Sequence, residues 1–329
     1  MDVLNQHLLP FRLFKIETAF LSFLSKNHSP IYAYQAKKFL KVLDGNNNIN
    51  SIFINNFERA YGSDAFLLKE DHDLFIHELQ QEIIKSSRSI SLGDLFDNCL
   101  KNAKLLSYHL KLLYENPFDQ KLLKFQFQHI KNLANFLYDN PKVHKPIYTT
   151  IKKSDLHFIY KHPLLSSLLL LSYIKSHHIF NRQETITLFI VSYLKDLGMG
   201  LIPEEAHNHN KLNPFEKKVL SKHAKNSQLL LKNIIPLKQN YLDIIAHHHF
   251  LNKKIQEYID HQTYETEDMT LRGAESVLVT AIDTFVALTC DRPYRQSIPV
   301  FEAMSILKHV LSEDYYQEYK DLLLFINKF

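Results

Sequence analysis

The chain has 329 residues, 45% of them hydrophobic and 22% charged, with a formal net charge of +4. That usage is ordinary for a globular protein with a real core, and the length suits one large domain or two smaller ones. It argues against a nucleic-acid surface, because the lysines are scattered among Asn and Glu with no basic stripe interleaved with aromatics. The six glycines, at 45, 62, 93, 198, 200 and 273, allow no Gly-rich phosphate loop of the P-loop or Rossmann type.

In chain order, "MDVLNQHLLPFRLF" carries no charged, apolar, small-residue leader pattern. Cys99 and Cys290 lie far apart in no metal-binding spacing. Both features read as a reduced, cytoplasmic protein. "IYAYQAKKFLKVLDGNNNINS" supplies β-branched and aromatic runs up to an Asp44-Gly45 turn. "SIFINNFERAYG" is predicted to be a short amphipathic helix stopped by Gly62, and "AFLL" at 65–68 a strand. A helix from about Asp71 to Lys85 then completes a small α+β domain over residues 1–90, and the polar stretch Ser86–Gly93 reads as a linker.

From 91 to 329 the expected domain is all-α. "DLFDNCLKNAKLLSYHLKLLYENP" and "DQKLLKFQFQHIKNLANFLYDNP" repeat apolar residues every three or four positions and each ends in Asn-Pro, which predicts an antiparallel helix pair. Further helices are predicted from about His162 to His177, Arg182 to Lys195, Asn213 to Asn233, Leu237 to His248, Gly273 to Leu288 and from Val300 onward. Asn213 and Glu216 have capping-box spacing. The longest apolar run, Leu164–Ile174, falls short of the roughly 20 residues needed to cross a bilayer, so it is predicted to be a buried helix and no membrane span is expected.

Metal-ligand residue types recur at the ends of these helices: His162, Asp196, His223, the pair His247 and His248, and Asp283. Asp283 sits inside the apolar "VLVTAIDTFVAL", where a bare carboxylate would be costly to bury, so it must find a cation or face solvent. In "IIAHHHF" successive side chains of a helix point about 100° apart. At most two of His247, His248 and His249 can therefore reach one ion, near a frayed helix end.

This order of residues resembles the HD-GYP family, helical metal-dependent phosphodiesterases of cyclic di-GMP within the HD phosphohydrolase superfamily. The resemblance runs over residues 100–310, through "YKHPLLSSLLLLSYI", "LKDLGMGLIPEE", "KLNPFEKKVLSKHAKNSQLLL", "IIAHHH" and "AIDTFVALTCDRPYR" in sequence. It implies a mostly α protein, with an HD-domain helical bundle following the small α+β domain. It also implies that His162, Asp196, His223, His247, His248 and Asp283 are metal ligands and that Arg292 and Arg295 grip substrate phosphate. A bridging carboxylate with imidazoles around two ions makes hydroxide near neutral pH, and the arginine fork suits phosphate.

Several family positions are changed. Lys195 stands where the family has the histidine of its HD pair, Met199 where it has a lysine, His249 where it has a glutamate, Val286 where it has a second aspartate, and Phe158 where some members have an acidic ligand. "FLNKKIQEYIDHQTYETEDM" holds neither glycine nor proline, so it cannot supply a Gly-Tyr-Pro loop. Sorted by the family's arrangement, the losses fall on the ion that would use His162, Asp196 and Asp283, while its neighbour keeps Asp196, His223, His247 and His248. The expectation is that the Lys195 ammonium sits between Asp196 and Asp283 where one metal was, with at most one divalent ion (iron, manganese or zinc) beside it. Asp196 and Lys195 are thus the residues on which catalysis turns. His207, His209, His177 and His178 are expected in solvated loops or at helix ends, and His249 exposed or beside the site.

Two functional classes follow. One is a regulatory protein in cyclic-dinucleotide signalling that binds cyclic di-GMP, a related nucleotide or a partner protein, with hydrolysis reduced or lost, while its N-terminal domain senses a signal or joins two copies as a homodimer. The other is an active phosphodiesterase working with one ion or an altered pair. A helical adaptor with relic histidines is a third reading of the same fold.

Overall fold

The structure is a computed structural model that describes residues 9–23, 26–202, 207, 213–251, 254–255, 273–293, 295–311 and 314–329. The chain forms two compact units. One runs to Ser89 and includes Lys104–His109; the other comprises Ile90–Ala103 and Leu110 onward.

The first unit contains α1 (Leu9–Arg12), β1 (Leu13–Glu17), α2 (Thr18–Leu21), β2 (Lys26–Asn27), β3 (Ile31–Gln35), β4 (Lys38–Leu43), β5 (Asn47–Asn48), α3 (Ser51–Tyr61), β6 (Asp64–Leu68) and α4 (His72–Ser89). An antiparallel sheet runs in the order β1-β6-β3-β4, with β2 and β5 paired separately. The β3–β4 hairpin turns at Ala36 and Lys37, both at positive φ. That is the backbone of a two-residue hairpin turn, built here without the glycine or asparagine that usually marks it. Asn50 caps α3 by accepting from Phe53 N–H at 2.8 Å, and Gly62 ends it at φ 85°. Phe75, Leu79 and Ile83 bury one face of α4, and the Phe75 ring lies 5.8 Å from Phe20.

The predicted linker begins later than expected. Residues 86–89 continue α4, because Ser86 falls three residues after Ile83 on the buried face and Ser89 Oγ returns to the Lys85 carbonyl at 3.0 Å. Only the turn at 90–93, closed by Gly93 at φ 75°, interrupts the helices.

The second unit is helical: α5 (Leu95–Glu115), α6 (Gln120–Asp139), α7 (His144–Lys153), α8 (Phe158–His177), α9 (Arg182–Leu194), α10 (Pro214–Leu220), α11 (His223–Leu231), α12 (Gln239–His247), α13 (Gly273–Thr289), α14 (Val300–Leu311) and α15 (Tyr316–Ile326). At its centre α8 packs on α7, α9 and α13, and α6 flanks α9. The apolar run Leu164–Ile174 is buried throughout in α8; two of its three serines return their hydroxyls to carbonyls one turn back, Ser167 to Pro163 and Ser172 to Leu168, each at 2.7 Å, while Ser166 turns to Asp283 at 3.4 Å. No helix among the described residues is long and apolar enough to cross a membrane.

Two predicted helices are each two. The segment from Asn213 to Asn233 breaks between Leu220 and His223, and the C-terminal one stops at Leu311 and restarts at Tyr316. The first break matters most, because it makes His223 the first residue of a new helix. The Asn213–Glu216 capping box forms at 2.9 and 2.7 Å.

Candidate metal centre

Five chain segments deliver the polar groups. His162 sits in the second turn of α8 and Asp283 in the middle of α13. Lys195 and Asp196 follow the end of α9, leading into a 3-10 turn over Leu197–Leu201. That turn lies against α11: Gly198 N–H donates to Ser227 Oγ at 2.7 Å, and a Cβ on Gly198 would run into the His223 carbonyl. A glycine is thus what lets Asp196 and His223 approach.

Lys195 is fully buried, and its ammonium lies between two carboxylates, paired with Asp196 Oδ2 and, at 2.7 Å, with Asp283 Oδ1. Asp283 Oδ1 also takes a bond from His162 Nε2 at 2.7 Å. Burial alone would raise both carboxyl pKa values, but the neighbouring Lys195 charge, first among the opposing causes, holds both well below the usual range. Burial would likewise lower Lys195, and the two carboxylates outweigh it and raise the ammonium pKa. This half of the site is charge-compensated by the chain itself.

The other half is not. His223 Nε2 and His248 Nε2 point at Asp196 Oδ1 from 3.3 and 3.1 Å, and His249 Nε2 lies 2.8 Å from His223 Nε2. The remaining nitrogens are committed: His223 Nδ1 donates to the Leu220 carbonyl at 2.5 Å and His248 Nδ1 to the Ile245 carbonyl at 2.7 Å. A carbonyl only accepts, so in each neutral ring Nδ1 carries the hydrogen and Nε2 presents a lone pair. Lone pairs aimed at a carboxylate oxygen repel. A cation among them turns every one of these contacts favourable.

Asp196, His223, His248 and His249 therefore fit one divalent ion. Their donor atoms all lie within 4.8 Å of one another, and three imidazoles with one carboxylate suit zinc, iron or manganese. His162, Asp196 and Asp283 also cluster, but there Lys195 Nζ stands between the carboxylates. Burial first, and then the neighbouring His248 and His223, hold the His249 ring well below its ordinary pKa, so it stays neutral and able to ligate.

Of the predicted residues, His162, Lys195, Asp196, His223, His248 and Asp283 come together and His247 does not. His247 turns its ring back to the Asp243 carbonyl at 2.9 Å, outside the cluster, and His249 occupies the site instead. The helix ends at His247, and residues 248–249 form a turn in which neighbours can converge. The signal was present in the spacing: His248 and His249 fall three and four residues after Ile245 on the buried face, whereas His247 follows Asp243 on the other face.

A cavity of about 780 Å³ opens over the cluster. His162, Asp196, His223, His249 and Asp283 line it together with apolar Phe158, Met199, Leu220 and Leu288. Arg292 and Arg295 also line it. Their main chains exchange hydrogen bonds at 2.9 and 3.0 Å, a pairing that sets both side chains on one face. Arg295 reaches the Ala287 carbonyl and Arg292 lies 5.5 Å over the Phe158 ring. His207, expected in solvent, is buried and lines this cavity. His177 stacks on Tyr173 at 4.3 Å, and His178 closes α8 in the left-handed conformation. Val286 is core. Pro203, His209, Tyr294 and most of the segment that lacks the Gly-Tyr-Pro loop lie outside the described residues.

No family model and no curated protein matches the sequence. Among solved structures the chain is similar to Bd1817, a HDG"Y"P protein from Bdellovibrio bacteriovorus, with a TM-score of 0.63 and 15% identity over 96% of this chain and 99% of that one. At that identity the likeness is one of fold: the chain has an HD-GYP-like HD-domain fold, with an α+β part ahead of the helical bundle.

Proposed function

We propose that this chain works in cyclic-dinucleotide signalling as a regulatory HD-domain protein: it binds cyclic di-GMP or a related nucleotide beside one divalent transition ion, with phosphodiester hydrolysis reduced or lost. The observation that carries this is the Lys195 ammonium held between Asp196 and Asp283. Hydrolysis of this type relies on a metal-generated hydroxide between two ions about 3.5–4 Å apart. An ammonium supplies one positive charge, half that of a divalent ion, and has no position for water, so it holds the two carboxylates together without the nucleophile. Arg292 and Arg295 offer forked donors to a phosphodiester, and the cavity's apolar walls suit bases and ribose. The first unit is assigned sensing, partner binding or homodimerisation.

The test is to load the purified protein with iron or manganese, add cyclic di-GMP, and follow both binding and linear product. One equivalent of metal and binding without product are expected. Rapid turnover, or two tightly held equivalents, would overturn the reading.

A one-ion phosphodiesterase is the alternative, favoured by the complete Asp196, His223, His248 and His249 group opening onto the cavity. Lys195→His separates the two: it should raise turnover and metal content in a crippled enzyme and change nucleotide binding little in a regulator.

A further inference from the structure

The motif "HHH" offers two registers for a histidine pair, and the geometry decides between them. Three donor spacings in the cluster are 3.3 Å (His223 to Asp196), 3.1 Å (His248 to Asp196) and 2.8 Å (His249 to His223). Bonds of about 2.0–2.2 Å to one ion set neighbouring ligand atoms about 2.8–3.6 Å apart, so all three spacings fit a common ion. Among the described residues His247 has no such neighbour: its Nδ1 is spent on the Asp243 carbonyl of its own helix at 2.9 Å, and it lies outside both metal-competent clusters and the cavity lining.

We propose that His249, and not His247, is the fourth ligand, so that a one-residue shift of the histidine pair gives this chain a three-imidazole, one-carboxylate site for a single ion. The shift follows from where α12 stops. Because the helix ends at His247, the next two residues turn, the His248 and His249 rings pack tilted by 43° with centroids 3.9 Å apart, and both reach the Asp196 side. His248 and His223 are braced through Nδ1 by backbone carbonyls, an outer contact that sets ring orientation and tautomer ahead of binding. With three imidazoles gathered on one side of Asp196 and its carboxylate as the fourth donor, the ion needs nothing from Asp283, which stays with the ammonium and His162. The site is thus mononuclear by construction.

This rests on reading the Asp196 group as an ion site, and the experiment keeps the two apart. Zinc and cobalt(II) affinities of the full chain are measured by competition with a chromophoric chelator for the wild type, His247→Ala, His249→Ala and His249→Gln. Both His249 variants should weaken binding more than about 100-fold and change the visible spectrum of the cobalt form, while His247→Ala stays within about threefold of wild type and keeps that spectrum. Circular dichroism of the chelated proteins identifies a variant that fails through unfolding, in which case the cobalt spectrum of the other His249 variant decides. Loss of affinity on replacing His247 with none on replacing His249 would overturn the shifted register while leaving a one-ion site intact. No binding by the wild type would overturn the ion site itself.

Discussion

The two sides of Asp196 solve one electrostatic problem in opposite ways. On the Asp283 side the compensating cation is covalently part of the chain, since Lys195 reaches both carboxylates and His162 completes the set. On the His223 side three imidazoles converge, with no lysine or arginine paired to them among the described residues. Buried charge is tolerated only when matched, so the first side is a finished structural element, while the second is the side on which an ion is proposed to bind.

The largest effect that tests this contrast is expected at Lys195. Lys195→Met, studied with chelator present, strands two buried carboxylates and should cost about 3–5 kcal/mol in denaturant unfolding. A cost below about 1 kcal/mol would show that the ammonium is not what neutralises them. Next comes Gly198→Ala, which pushes a methyl group into the His223 carbonyl and should destabilise by about 1–3 kcal/mol while weakening metal binding on the histidine side only. Unchanged metal affinity in that variant would detach the 3-10 turn from the site.

Arg292→Ala removes a forked donor at the cavity and should reduce cyclic di-GMP affinity about tenfold without altering metal content. Equal affinity would place the phosphate elsewhere.

The smallest effect is the pH response, and it differs between the sides. Asp283 has a folded pKa well below its unfolded value, so its contribution is present above about pH 4 and lost only as the pH falls through the folded value. The His249 ring is also shifted down, by burial first, so the unfolded chain takes up its proton more readily once the pH drops below about 6.5. Chelated protein should therefore lose stability on going from pH 7 to 5, and His249→Gln should flatten that slope. A flat profile in the wild type would contradict the neutral, buried ring.

Much of this was legible in one dimension. Helices with clear apolar periodicity and a cap, such as α3 with Asn50 and Gly62, follow from local preference. The lysine at position 195 could be read as a cation for two carboxylates, because the resemblance put it where a metal-binding histidine stands between them. Less legible were features with no local mark. The β3–β4 turn at Ala36 and Lys37 carries no turn residue, β1 is short and held by its partner β6, and residues 86–89 look like a polar linker yet continue α4.

The choice between His247 and His249 shows where the boundary lies. The sequence by itself determined the helical periods, which depend on spacing within a segment, and through its family resemblance the order of the candidate ligand segments and the misfit of Lys195. Tertiary structure alone decided that α12 stops at His247, that a break after Leu220 puts His223 at a helix start, and that Gly198 lets those ends meet beside Asp196. Convergence of side chains far apart in the chain is set by where helices end and how closely their backbones pack, and neither quantity has a period to read.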